Sequence, residues 1–347
     1  MNFMRNRTLL IGSLDGRFNA RVPLRNIIVS CILAVAALFL SVFALRLGTI
    51  PISLADMMSA LVGRATPRII MIIVEWRLPR ITMALIIGAA LGMSGALFQS
   101  LIRNPLGSPD VIGFNTGAYT GVLIVITLLH GDNNITITLG ALCGGIATAV
   151  AVYLLAWKQG IQGFRLIIIG IAVSAMLTAF NTWLMLSGTH ETVMSAALWG
   201  AGSLNGMTWS RATPSAIACI TGMLLCLGLV RHVRLMEMGD DMAGALGLSV
   251  GRTRLWLMII GVLLVAAATA ATGPVVFIAL AAPQIAQRLC NTRSMVLMSS
   301  AGTGALLLLL ADTIAQHLFT PYSLPVGIVT VSLGGVYMIW LLLRGTP

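Results

Sequence analysis

Few side chains in this sequence are equipped for chemistry, and they do not assemble into a catalytic pattern. The four histidines, His130, His190, His232 and His317, lie far apart. None sits in an HExxH arrangement, which would set two imidazoles on one helix face around zinc. No GxSxG turn exposes a serine nucleophile, and no two carboxylates share an apolar run. The cysteines Cys31, Cys143, Cys219, Cys226 and Cys290 form no CxxC pair, and their places in or at the end of apolar runs suit small buried hydrophobes. The phosphate loop GxxxxGK[ST] is missing too. We therefore expect no enzyme, no metal site and no cofactor on this chain; if ATP drives the protein, another chain holds the nucleotide.

Two short segments stand out instead. The first, 231-RHVRLMEMGDDMAGALGLSVGRTR-254, is the longest polar stretch beyond the N-terminus. Gly239 and Gly247 can break it on each side of a short helix carrying Met242, Ala245 and Leu246 on one side, with Asp240 and Asp241 at the positive end of its dipole. A capped surface loop is the simpler reading; the apolar side favours an element that docks a partner. The second is 104-NPLGSPD-110. Pro105 and Pro109 stop a helix, Gly107 permits a tight turn and Asn104 can cap locally. Asp110 and Asp312, the acids nearest to the apolar runs, are each read as helix caps.

The elements that carry these segments follow from composition. Of the 347 residues 58% are hydrophobic and 9% charged, and the mean hydropathy is +0.98. A soluble domain carries about 25% charged residues, so most of this surface must face lipid. About 20 helical residues cross a hydrocarbon core of about 30 Å. Charge-free runs place spans at 26–45, 81–102, 111–129, 133–156, 166–187 and 212–230. Leu255 to Gln287 is too long for one crossing, and Thr272-Gly273-Pro274 divides it into 255–272 and 275–290. Spans at 294–311 and 325–343 complete ten. The stretch Glu191 to Arg211 is read as a short interfacial or partly re-entrant helix with Trp199 and Trp209 at the membrane boundary, and Asp312 to Pro325 as a similar short segment in which Pro321 and Pro325 prevent a continuous helix. The fold class expected is thus all-α and polytopic, with a cytoplasmic tail 1–25, one transmembrane domain 26–343 and a cytoplasmic tail 344–347.

Charge orients the chain. With the N-terminus inside, inner segments hold Arg5, Arg7, Arg17, Arg21, Arg25, Arg103, Lys158, Arg165, Arg231, Arg234, Arg252, Arg254, Arg288, Arg293 and Arg344, fifteen of the 21 Lys and Arg. The outer side keeps Arg46, Arg64, Arg68, Arg77, Arg80 and Arg211. That bias obeys the positive-inside rule and explains the net charge of +11 by anionic lipid, with no nucleic acid needed. Gly88, Gly92 and Gly95 place small residues on one helix stripe, suited to close helix packing or to lining a path. The near absence of ionisable groups within the spans disfavours an ion-coupled carrier, the competing transport reading.

On several of these stretches the sequence resembles the FecCD (BtuC-like) family, type II permeases of ATP-driven importers for ferric siderophores, haem and vitamin B12. The resemblance rests on 77-RLPR-80, 84-ALIIGAALGMSGALFQSLIRNPLGSPDVIGFNTGA-118, 237-EMGDDMAGALG-247, 273-GPVVFIALAAPQIAQR-288 and 324-LPVGIVTVSLGGVYMIWLL-342. It implies ten helices, a second FecCD-type subunit (a heterodimer, with a homodimer as the alternative), an ABC ATPase dimer that binds ATP and Mg, and a periplasmic siderophore-binding protein. The cargo implied is a ferric siderophore such as ferric enterobactin, with haem or a hydroxamate siderophore as alternatives. Glu237, Met238, Gly239, Asp240, Asp241, Ala243, Leu246 and Gly247 correspond to the family's coupling helix. Arg77 and Arg80 correspond to arginines that meet acids of the binding protein, although the same arginines suit anchoring in lipid headgroups. Asn104, Pro105, Gly107 and Pro109 would fix the inner mouth. Where the B12 permease has an arginine after the acid ending its ninth helix, this chain has Gln316, which argues against B12.

Overall fold

The computed structural model describes residues 8–12, 19–48, 50, 52–131, 133–157, 163–292, 294–318 and 322–343. Arg5, Arg7, Arg17, Lys158, Arg293, Arg344, the tail 344–347 and Pro321 fall outside the described residues. Lipid offers no hydrogen bonds, so a chain this apolar must satisfy its backbone within helices. Each expected run holds one: α1 (Leu24–Arg46), α4 (Leu78–Ile102), α5 (Phe114–Leu123), α6 (Asn134–Ala156), α7 (Gly163–Ser187), α9 (Trp209–Gly228), α12 (Val250–Thr272), α13 (Ile278–Cys290), α14 (Leu297–His317) and α15 (Val326–Leu343). Shorter helices lie between them: α2 (Leu54–Leu61), α3 (Pro67–Ile70), α8 (His190–Gly200), α10 (Val230–Glu237) and α11 (Asp240–Ala245). Seven helices are long and apolar enough to cross a membrane; Phe114–Leu128 and Val326–Trp340 are shorter apolar helices, and α13 has 13 residues.

Burial sorts the long helices. The apolar windows of Pro67–Ile102 and α12 are 78% buried and that of α14 61%, against 17% for α1 and 22% for α7. The glycine stripe explains the centre. A Cβ on Gly88 would strike the Gly304 carbonyl oxygen, one on Gly92 that of Ser300 and one on Gly95 that of Ala279. Backbones of α4, α13 and α14 therefore touch, which is how helices gain packing energy in lipid. Ser94 Oγ adds a hydrogen bond to Gly261 O of α12 (2.8 Å).

The structure departs from expectation in five places. The helix expected from 81 begins at Pro67 and runs unbroken to Ile102, wound as a π-helix over Met71–Arg77. Pro at the first helical position needs no donor, and Arg77 finds backbone partners, so its charge does not end the helix. The helix expected to stop at 311 continues to His317, because Asp312 is paired rather than solvated; the short interfacial segment expected from Asp312 is therefore the last part of α14. Helix α10 was not expected; its Val233 and Met236 are buried while its arginines face outward. Within the tail 1–25, β1 (Thr8–Gly12) pairs antiparallel with β2 (Asn19–Pro23), the only described strands in an otherwise helical chain. Cys219, Cys226 and Cys290 are buried as expected, but Cys31 and Cys143 lie on outward faces, and all five are free thiols.

The expected break at Thr272-Gly273-Pro274 is present, with Gly273 at φ 72°, a conformation costly for other residues. It interlocks with two other connections. Ser203 N–H donates to Thr272 O (2.6 Å), and Gly327 N–H, at the start of α15, donates to Gly202 O (3.0 Å). A Cβ on Gly202, Gly273 or Gly327 would strike the carbonyl oxygen of Pro274, Trp199 or Ala201 respectively. Helix α8, a short helix as expected, ends directly above this junction.

Candidate functional site

Helix α4 ends at one face of the bundle in a built turn. Arg103 takes the left-handed conformation (φ 55°). Its N–H donates to Ser100 O (3.3 Å), and that of Asn104 to Gln99 O (3.2 Å). Pro105 then forbids another turn. Asn104 Oδ1 accepts from Leu106 N–H (2.9 Å), Gly107 N–H donates to Asn104 O (2.9 Å), and Gln284 of α13 donates to Pro105 O (2.8 Å). Gly107 serves through close approach, since a Cβ there would lie 3.1 Å from Asn104 O and from Ile102 Cδ1; it is not among the glycines with positive φ. Pro109 is buried. Asp110 caps as expected, but at a distant helix: its Oδ2 accepts from Phe277 N–H (3.2 Å), the residue before α13. Its Oδ1 accepts from Asn115 (2.7 Å).

The segment 231–254 folds back over this turn. Gly239, at φ 109°, separates α10 from α11, and Gly247, at φ 85°, ends the second helix. A Cβ at either would meet open space, so backbone conformation alone calls for glycine. Ala243 is buried, while Asp241 is exposed. Asp240 is gripped from two sides. Arg103 Nη2 donates to its Oδ1 (2.5 Å), and Arg254 Nη2, from the first turn of α12, donates to Oδ1 (3.1 Å) and Oδ2 (2.9 Å). Arg103 Nη2 also reaches Met236 O (3.3 Å). Glu237 Oε1 accepts from Met295 N–H (2.8 Å) in the connection before α14. Burial pushes the Glu237 carboxyl pKa up, against the Met295 N–H and the Arg234 charge, which pull it down.

Three large apolar side chains of this segment remain uncovered: Met238 (58% exposed), Met242 (53%) and Leu246 (58%). Beside them a cleft of about 400 Å³ is lined by Gln99, Arg103, Asn104, Pro105, Glu237 and Met295, so the α4 turn and the 231–254 segment share one wall. The grip on Asp240 joins α11 to the ends of both central helices α4 and α12. Sequence reasoning named Asp240 but missed Arg103, Arg254 and Met295, whose partners lie 137, 14 and 58 residues away.

At the other end of α4, Arg77 donates to Leu45 O (2.6 Å) and Ile50 O (2.9 Å). Arg80 forms a two-pronged pair with Asp312, Nε to Oδ2 (2.9 Å) and Nη2 to Oδ1 (2.8 Å). Its Nη1 donates to Asn205 Oδ1 (2.6 Å), and Gln316 Nε2 donates to Asp312 Oδ2 (2.8 Å). Asp312 is therefore an ion-pair partner, correcting its reading as a cap. Its side chain is 1% exposed and that of Arg80 16%. Between α5 and α7 a cavity of about 380 Å³ presents Asn115, Thr116, Tyr119, Thr178, Asn181 and Thr182, hydroxyls and amides without fixed charge. Among the described residues no three His, Cys, Asp or Glu side chains converge as metal ligands would.

Comparison with known proteins agrees with this architecture. Residues 31–344 match the FecCD transport family. The chain is 54% identical to the ferric enterobactin transport system permease protein FepG of Escherichia coli (strain K12), covering 92% of this chain and 97% of FepG. It is 34% identical to the iron(3+)-hydroxamate import system permease protein FhuG of Bacillus subtilis (strain 168), covering 93% and 97%. It is also 34% identical to the hemin transport system permease protein HmuU of Yersinia pestis, covering 77% and 82%. Among solved structures, a metal-chelate type ABC transporter in an inward-facing conformation superposes with a TM-score of 0.83 at 25% identity, covering 92% of this chain and all of that one.

Proposed function

The chain belongs to the FecCD transport family, and from that premise we propose that it is the permease subunit of an ATP-driven importer that moves a ferric siderophore, ferric enterobactin or a related catecholate, from periplasm to cytoplasm. It is an integral inner-membrane protein. We count ten crossings with both termini in the cytoplasm, which puts α10, α11 and the α4 turn on the cytoplasmic face and Arg77 and Arg80 on the periplasmic face. The observation that carries the reading is the exposed trio Met238, Met242 and Leu246 on a segment anchored to α4 and α12. An apolar patch held rigidly at a membrane surface suits a soluble partner with a complementary groove.

In this reading an ABC ATPase dimer, which binds ATP and Mg, docks on Glu237, Met238, Gly239, Asp240, Asp241, Ala243, Leu246 and Gly247; this chain binds no cofactor. A second FecCD-type subunit, a different one as in a heterodimer, completes the pathway. A periplasmic siderophore-binding protein docks near Arg77 and Arg80, using donor positions their intrachain bonds leave open. Closure of the ATPases pushes α11, and Asp240 passes that displacement to α4 and α12. The α4 turn at Asn104, Pro105, Gly107 and Pro109 moves with Arg103 as the inner mouth. The uncharged α5–α7 cavity offers hydrogen bonds without repelling an anionic chelate.

The test is reconstitution of the complex in liposomes. Ferric enterobactin uptake is expected to require ATP at the ATPase side and binding protein at the other. Uptake driven by a proton gradient without ATP would replace this reading with an ion-coupled carrier.

A further inference from the structure

On the side of the bundle where α1 begins, an open groove of about 400 Å³ runs between α1, the end of α9 with the start of α10, and the first turn of α14. Its walls are largely apolar, with Ile27, Ala34, Leu227, Val230 and Leu297 among them; Ser30 and Ser299, which also line it, bond each other (2.9 Å), and two further polar groups face it. One is Arg234, exposed on α10. The other is Asn26, whose Oδ1 is buried without a hydrogen-bond partner. Among the described residues this acceptor has no donor, and a buried acceptor left unpaired is costly, so a donor on a bound molecule would be favoured here.

We propose that the groove is a binding site for an anionic phospholipid of the phosphatidylglycerol type. An acyl chain lies along the apolar walls, the phosphate meets Arg234, and a headgroup hydroxyl donates to Asn26 Oδ1. The charge argues for an anion: Arg231 precedes Arg234 by one turn of α10, and Arg25 adjoins Asn26. A choline headgroup carries no donor for Asn26, and an ethanolamine headgroup brings a positive charge into a basic neighbourhood. The site also touches the coupling segment, because Met295 lines the groove while its N–H is held by Glu237. A lipid seated there braces the connection into α14. The inference uses the membrane setting of α1 and the place of α10 beside it, and is independent of the ATPase assignment.

The full chain, purified in mild detergent after equilibration with equal amounts of phosphatidylglycerol, phosphatidylethanolamine and phosphatidylcholine, is examined by native mass spectrometry for lipid retained per chain. Phosphatidylglycerol is expected to be retained in preference to the other two. Retention should fall about tenfold in Arg234→Gln, which loses one charge-assisted hydrogen bond, and comparably in Ala34→Trp, which fills the groove without altering charge. Equal retention of the three lipids, or retention unchanged in both variants, overturns the proposal.

Discussion

The grip on Asp240 sets distance against burial. The Arg103 contact is the shorter, 2.5 Å, but the Arg103 side chain is 46% exposed; the Arg254 side chain, at 2.9 Å, is only 12% exposed. Water screens the first pair, which is worth about 0.2–1 kcal/mol as a surface ion pair. Hydrogen bonds between charged groups reach about 1.5–3 kcal/mol. Because Asp240 is itself 42% exposed, the Arg254 arm belongs near the lower end, about 1.5 kcal/mol. Losing it multiplies the untethered population by about ten, whereas losing the Arg103 arm does so by about 1.4 to five. The assay is the number of siderophores imported per ATP hydrolysed by the reconstituted complex. Arg254→Gln should lower that ratio several times more than Arg103→Gln, and a double-mutant cycle with Asp240→Asn should give the larger coupling energy to Arg254. A larger effect from Arg103→Gln would refute the reasoning, since contact length rather than burial would then rank the two arms.

Gly239→Pro cannot adopt the φ of 109° found there, and we expect it to leave membrane insertion intact while uncoupling ATP hydrolysis from uptake; unchanged transport would dismiss α11 as the coupling element. Arg80→Leu strands the buried Asp312 carboxylate and should cost about 3–5 kcal/mol; a lowered melting temperature, largely restored by adding Asp312→Asn, is the expected pattern, and a melting temperature unmoved by Arg80→Leu would remove the pair's structural role. Because burial raises the Glu237 pKa from its ordinary 4.5, the folded state binds its proton more tightly than the unfolded chain does. Stability therefore rises as pH falls through the window above 4.5, and this contribution is lost at higher pH. Melting curves of Glu237→Gln should lack that slope, and an identical pH dependence in both proteins would count against it.

Much of this architecture is legible in charge-free runs, because a single unpaired charge in lipid is expensive enough to mark an element's end. The rule fails where a charge has a partner. Asp312 looks like the end of a span in sequence and lies inside α14 in space, because Arg80, 232 residues earlier, pays its desolvation. Arg77 misleads in the same way, two of its guanidinium donors being held by the Leu45 and Ile50 carbonyls. Glycines were read more reliably, since Gly239, Gly247 and Gly273 all fall where a positive φ breaks the chain. Helix α10 escaped notice because two buried residues, Val233 and Met236, make too short an apolar pattern to stand out. The partners of Asp240 and Glu237 were invisible for a simpler reason: pairings between distant connections leave no local spacing to read.

The interlocked connections at Gly202, Gly273 and Gly327 bear on how the molecule is made. Synthesis proceeds from the N-terminus, so the Gly202 carbonyl is made long before its donor on α15 exists. A chain cut short ahead of Val326 would leave that buried oxygen without its Gly327 donor. Only a chain that has reached α15 can fasten this clasp, so the junction closes last.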